Sequence, residues 1–155
     1  EAIEATRAMA NIEPTSYRSF NMIIADTIEA FWIKSDGKRI LTAPIPEGLS
    51  MITSQDLNSI VQSSRIRFHL NRFRHAKSPD PQKENWDEWK TLMGSRDREP
   101  GAGGRGAINL NPEHNFGTVS SSLIALPHPR CMGVSPHWFY CSGRPDKAPY
   151  EPVIL

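Results

Sequence analysis

The chain has 155 residues, of which 38% are hydrophobic and 23% charged, with a formal net charge of +1. That length supports one domain with one modest core, and the balanced charge excludes a global field that would steer the protein onto nucleic acid or an anionic membrane. No apolar run approaches the roughly 20 residues needed to cross a bilayer, so the sequence predicts no membrane span.

Residues 1–10 are rich in Ala and Glu and read as the tail of a helix that Pro14 stops. The N-terminus is acidic and lacks the apolar stretch of a secretory signal. Glu1 is not an initiator Met, so the visible start is a processing site, an expression boundary or the interior of a longer chain. The apolar run at 19–26 has strand length. A second run at 28–34 and a return at 39–42 flank Asp36-Gly37, a hairpin signal. Pro44, Pro46 and Gly48 make a bend, and 49–53 reads as another strand.

Ser63 is placed to cap a helix over 64–76, with Ile66, Leu70 and Phe73 on one stripe. Asp80-Pro81 suits the start of a second helix running to about Met93, closed by Gly94. Trp86 and Trp89, at helical spacing, read as core residues. Residues 95–106 form a polar, Gly-rich loop that is expected to be mobile. Runs at 107–110, 116–126 and 137–141 read as strands. The order of elements predicts an α+β fold with mainly antiparallel pairing, because short turns join consecutive strands. The run at 116–126 is expected to be a central strand, with Ile124→Asp abolishing soluble expression.

His128, Cys131, His137 and Cys141 form the most metal-like cluster, since two thiolates and two imidazoles satisfy tetrahedral zinc. Their spacing matches common zinc modules poorly, and no stoichiometric zinc is expected. With only two cysteines the chain does not read as a disulfide scaffold, which points to a reducing, cytoplasmic compartment; a disulfide between Cys131 and Cys141 is left open. The Gly101–Gly106 run is preceded by a helix and followed by a strand, the reverse of the phosphate-binding motifs. Arg65, Arg67, Arg72, Arg74 and Lys77 straddle an apolar stripe instead of making one basic face, so no nucleic-acid partner is read from them. Ser120, Ser121 and Ser122 offer hydroxyls, with His114 nearby in sequence, but no nucleophile elbow surrounds them. No cofactor motif is recognised.

Four segments carry a family resemblance. They are Tyr17-Arg-Ser-Phe-Asn-Met-Ile-Ile-Ala-Asp26, Pro46-Glu-Gly-Leu-Ser-Met-Ile-Thr-Ser-Gln-Asp-Leu-Asn58, Phe116-Gly-Thr-Val-Ser-Ser-Ser-Leu-Ile124 and the stretch from Gly143 to Val153. Their order and spacing resemble the NRDE family, also called the transport-and-Golgi-organisation protein 2 family, from about Tyr17 onward. The resemblance implies an N-terminal-nucleophile hydrolase fold, an αββα sandwich, of which residues 1–155 are the C-terminal part of a larger domain. It places binding positions at Thr53, Ser54, Thr118 and Ser120.

In that family the nucleophile and the Asn-Arg-Asp-Glu motif precede the matched region. Ser54 stands where the family has Asn, and Val119 where it has Arg; Val119 can hold neither an oxyanion nor an acidic substrate. Two functions follow as expectations. One is a non-enzymatic role in binding a small-molecule ligand or in trafficking. The other is an amidohydrolase whose nucleophile lies in an upstream segment. Either way, the expected polypeptide partner is that upstream segment or a second copy of the chain.

Overall fold

The computed structural model describes residues 1–112 and 116–154. The described residues are α+β, with three α-helices and two antiparallel three-stranded sheets. No helix among them is long and apolar enough to cross a membrane.

Helix α1 spans Ala2–Ala10 and buries Ala2 and Thr6 against the first sheet. That sheet is β1 (Phe20–Ala25), β2 (Ala30–Ser35) and β3 (Ile40–Pro44), in the order β1-β2-β3. The turn between β1 and β2 is organised by Asp26. Its Oδ1 accepts from the Ile28 and Glu29 amides at 2.8 and 3.0 Å, and its Oδ2 accepts from the Ala2 amide at 2.8 Å. One carboxylate thus closes a hairpin and fixes the start of α1, and these bonds, that from Ala2 first, hold its pKa below the usual aspartate value. The Asp36-Gly37 turn forms as predicted. Asp36 Oδ1 accepts from the Lys38 and Arg39 amides, and Gly37 takes a φ of 83° that a side chain would strain. Ile33 and Ser35 alternate onto one face and are fully enclosed.

The strand expected at 49–53 is absent. The Met51 backbone is spent on Asn58 instead: the Asn58 side chain accepts from Met51 N at 2.7 Å, and Asn58 N donates to Met51 O at 2.9 Å. Asn58 holds the left-handed conformation, φ 55°, that closes this loop.

Helix α2 spans Ser64–His75, with Ser63 Oγ accepting from Ile66 N at 3.2 Å. It buries Ile66, His69, Leu70 and Phe73. The second predicted helix is broken. Pro81–Lys83 is a single 3-10 turn, Glu84 turns left-handed at φ 52°, and Asp80 and Asn85 exchange two backbone hydrogen bonds. Helix α3 then covers only Asp87–Met93. Its Trp89 meets Phe73 edge to face, with ring centroids 5.4 Å apart.

The second sheet contains β4 (Ser121–Ala125), β5 (His137–Cys141) and β6 (Glu151–Pro152), in the order β4-β5-β6. Leu123 and Phe139 pack with Trp86 into a core that Met93, Ala125 and Tyr150 extend. Two expectations are corrected here. The strand at 107–110 does not form, because its amides go elsewhere: Asn109 N donates to Ser95 O at 3.0 Å and Leu110 N to Thr118 Oγ1 at 2.9 Å. The run at 116–126 contributes an edge strand, and β5 is central because β6 pairs with its far side.

Candidate functional site

The segments around Asn21 and Thr53, 32 residues apart, meet on the first sheet. Asn21 sits opposite Lys34 in the β1–β2 ladder, and Ile23 sits opposite Trp32, so all four side chains share a face. The Asn21 amide is spent on three bonds. Its Nδ2 donates to the carbonyls of Thr53 at 3.0 Å and Gln55 at 3.3 Å, and its Oδ1 accepts from Trp32 Nε1 at 2.9 Å. Lys34 adds an ion pair with Asp56. The loop at 49–58 is therefore latched across the sheet by two neighbouring side chains.

Beside this latch lies a cavity of about 570 Å³ whose walls include Ser19, Asn21, Lys34, Thr53 and Ser54. Thr53 is already engaged: its Oγ1 accepts from Gln55 N at 3.1 Å and donates to Ser63 Oγ at 3.4 Å. Asp56 neutralises Lys34. Ser54, which is exposed, and Ser19 present hydroxyls to an occupant. Asp36, also on the wall, is paired with Arg39 at 3.3 Å, so the paired charges leave chemistry that suits hydrogen bonding to a polar, uncharged group.

Thr118 and Ser120 do not join that cavity. Thr118 Oγ1 accepts from Leu110 N, and its own amide donates to Leu110 O at 3.2 Å, so the residue pins the 107–112 segment. Gly117 permits the close approach this needs, since a Cβ there would stand 2.8 Å from Pro112 Cα. Val119 is 79% exposed and Ser120 is exposed. His114 lies outside the described residues.

The His–Cys cluster does not converge. Cys141 is buried on β5 and donates to the Gly143 and Ala148 carbonyls at 3.3 and 3.4 Å, whereas Cys131 is exposed; both thiols are free. Cys131 and His137 share the wall of a different cavity, about 390 Å³, with Pro79, Pro81 and Leu126. Among the described residues no group of three or more His, Cys, Asp or Glu is placed to hold a metal ion.

The arginines of α2 have a role that spacing did not show. Arg67 forks onto Glu99 with bonds of 2.6–3.2 Å, Arg72 reaches Ser95 Oγ at 2.9 Å and Asp97 at 2.8 Å, and Arg65 donates to Arg105 O at 2.6 Å. They fasten the Gly-rich loop at 95–106, which the sequence suggested would be mobile, along the helix. His69 completes the attachment: it is fully buried, with Nε2 3.1 Å from Asp97 O. Burial, and then the neighbouring Arg72, lower its pKa from the ordinary histidine value. The sequence signal for His69 was its place between Ile66 and Phe73 on the buried stripe.

No family model matches the chain, and neither a curated protein nor a solved structure matches it.

Proposed function

We propose that the protein is an NRDE-type domain that binds a small polar ligand without transforming it, in the cavity beside the Asn21 latch. The observation that carries this reading is the direct bond from Asn21 to the Thr53 carbonyl. It joins two of the four segments on which the resemblance rests, at the edge of a cavity of ligand size. Ser54, in the position where the family has Asn, offers a hydroxyl in place of an amide. On this reading the two small sheets belong to an αββα sandwich completed by an upstream segment or by a second copy of the chain. The free thiols of Cys131 and Cys141 suit a cytoplasmic setting.

The test is a thermal-shift screen of the protein against a panel of neutral polar metabolites. A saturable shift that Ser54→Trp removes, by filling the cavity mouth, supports the reading. No shift with any compound, or a shift that Ser54→Trp leaves intact, overturns it. Amide hydrolysis that disappears when an upstream Cys, Ser or Thr is replaced selects the hydrolase reading instead.

A further inference from the structure

The Gly-rich loop forms part of a third cavity, about 550 Å³, that shares none of the described lining residues with the one beside Asn21. Its wall carries the guanidinium-bearing residues Arg96, Arg98 and Arg105 together with Gly104, Asn109 and Phe116. Arg96 pairs with Asp146, which also takes Arg144 at 2.8 Å, so that cluster of two cations and one anion keeps a net positive charge. Arg98 and Arg105 add two more positive charges to the same wall. The Arg105 guanidinium stands over the Phe116 ring, 5.4 Å from its centre, and Phe116 is 57% exposed. A cationic group therefore covers one face of an exposed aromatic side chain.

Two features of this wall are not explained by the fold. Asn109 is 1% exposed; its Nδ2 donates to Gly94 O and Asp146, but its Oδ1 finds no donor among the described residues. Gly104 has no positive φ, and a Cβ there would meet nothing within 4 Å, so neither backbone strain nor packing demands glycine. The glycine leaves room in the cavity. By contrast, Gly106 is required by the loop, because a Cβ there would stand 2.9 Å from Ala102 Cβ.

We propose that this cavity binds an organic phosphate of nucleotide type. The phosphates lie against Arg98 and Arg105, and a planar base lies on the Phe116 ring. Guanidinium forks match phosphate oxygens in geometry and charge, and the cavity volume is within the range of small-ligand sites.

Isothermal titration of the protein at 0.15 M salt with ADP, adenosine, ribose 5-phosphate and inorganic phosphate tests this. Saturable binding of ADP is expected, with adenosine and inorganic phosphate each much weaker. Arg98→Ala weakens ADP about tenfold or more. Gly104→Val blocks ADP while leaving the melting temperature unchanged, and Phe116→Ala reduces the preference for ADP over ribose 5-phosphate. Absence of saturable ADP binding, or binding that neither Arg98→Ala nor Gly104→Val alters, overturns the proposal. Equal binding of ADP and inorganic phosphate overturns the nucleotide assignment.

Discussion

Asn21 Nδ2 donates to the Thr53 carbonyl at 3.0 Å while Asn21 Oδ1 accepts from Trp32 Nε1 at 2.9 Å, so a single amide ties an edge strand, its neighbour and a loop together. Asn21→Ala removes all three of its bonds and leaves the indole N–H and two carbonyls to find water. A loss of about 1–3 kcal/mol in chemical denaturation is expected, with faster protease cleavage within 49–58. Ser54→Ala, at an exposed hydroxyl, changes stability by no more than about 0.5 kcal/mol. Equal effects of the two substitutions would show that the latch does not hold the loop.

In β4 the buried and exposed positions alternate, placing Leu123 at 4% exposure in the core with Trp86 and Phe139, and Ile124 at 59% exposure on the other side. The sequence pointed to Ile124 as the critical residue; the register assigns that role to Leu123. Leu123→Ala is expected to cost about 2–5 kcal/mol. Ile124→Asp costs less than about 1 kcal/mol and leaves the protein expressible. Urea melts of the two variants settle the assignment, and a reversed order would mean that β4 is registered one residue off.

The contrast between those neighbours shows which parts of the fold local sequence can encode. The Asp36-Gly37 hairpin and the Ser63 cap of α2 were legible because each is determined by a few adjacent residues. The failed strands at 49–53 and 107–110 have suitable residues, but their amides bond to Asn58, Ser95 and Thr118, partners that no periodicity reveals. The break at Glu84 likewise follows from the Asp80–Asn85 bonds, which displaced a plausible helix start. Of the four expected binding positions, Thr53 and Ser54 line the cavity beside Asn21 and Thr118 and Ser120 do not; Thr118 is consumed in holding the chain on which Leu110 lies. Lys34, Asp56 and Asn109 gave no local signal, since their side chains find partners 15 to 37 residues away.

His69 should make stability depend on pH. Its Nδ1 lies 3.4 Å from Arg72 Nη1 and its Nε2 faces the Asp97 carbonyl, so the neutral ring with the proton on Nε2 suits both neighbours. The folded-state pKa is lowered, by burial first and by Arg72 second. The unfolded chain, titrating near about 6.5, therefore binds the proton first. Stability from this residue is full above that value and falls as pH drops through it toward the lower folded pKa. Denaturation between pH 8 and about 5 should show stability rising with pH, and His69→Gln, which keeps a donor for Asp97 O, should flatten that slope. An unchanged slope in the variant would assign the dependence to other groups. The carboxylates with lowered values, Asp26, Asp36 and Asp97 among them, act only at lower pH.

The edges of the two sheets are protected unequally. Edge strand β3 ends in Pro44, and β6 is two residues long with Pro152, which removes a donor. Strand β1, Phe-Asn-Met-Ile-Ile-Ala, pairs only with β2 among the described residues and contains no lysine, no proline and no bulge. The loop latched at Asn21 reaches its first part. Beyond that, Met22 at 37% and Ile23 at 49% exposure are left on an apolar edge strand. Backbone groups along such an edge gain hydrogen bonds by pairing with another strand, and a second β1 is always available at sufficient concentration. The protein is therefore expected to self-associate through β1, with multi-angle light scattering giving a mass above that of one chain that rises with concentration. Ile23→Lys places a charge on the edge and should restore the single-chain mass without lowering the melting temperature by more than a few degrees. Single-chain mass in the parent at every concentration, or a mass that Ile23→Lys leaves unchanged, would show that β1 is not the contact.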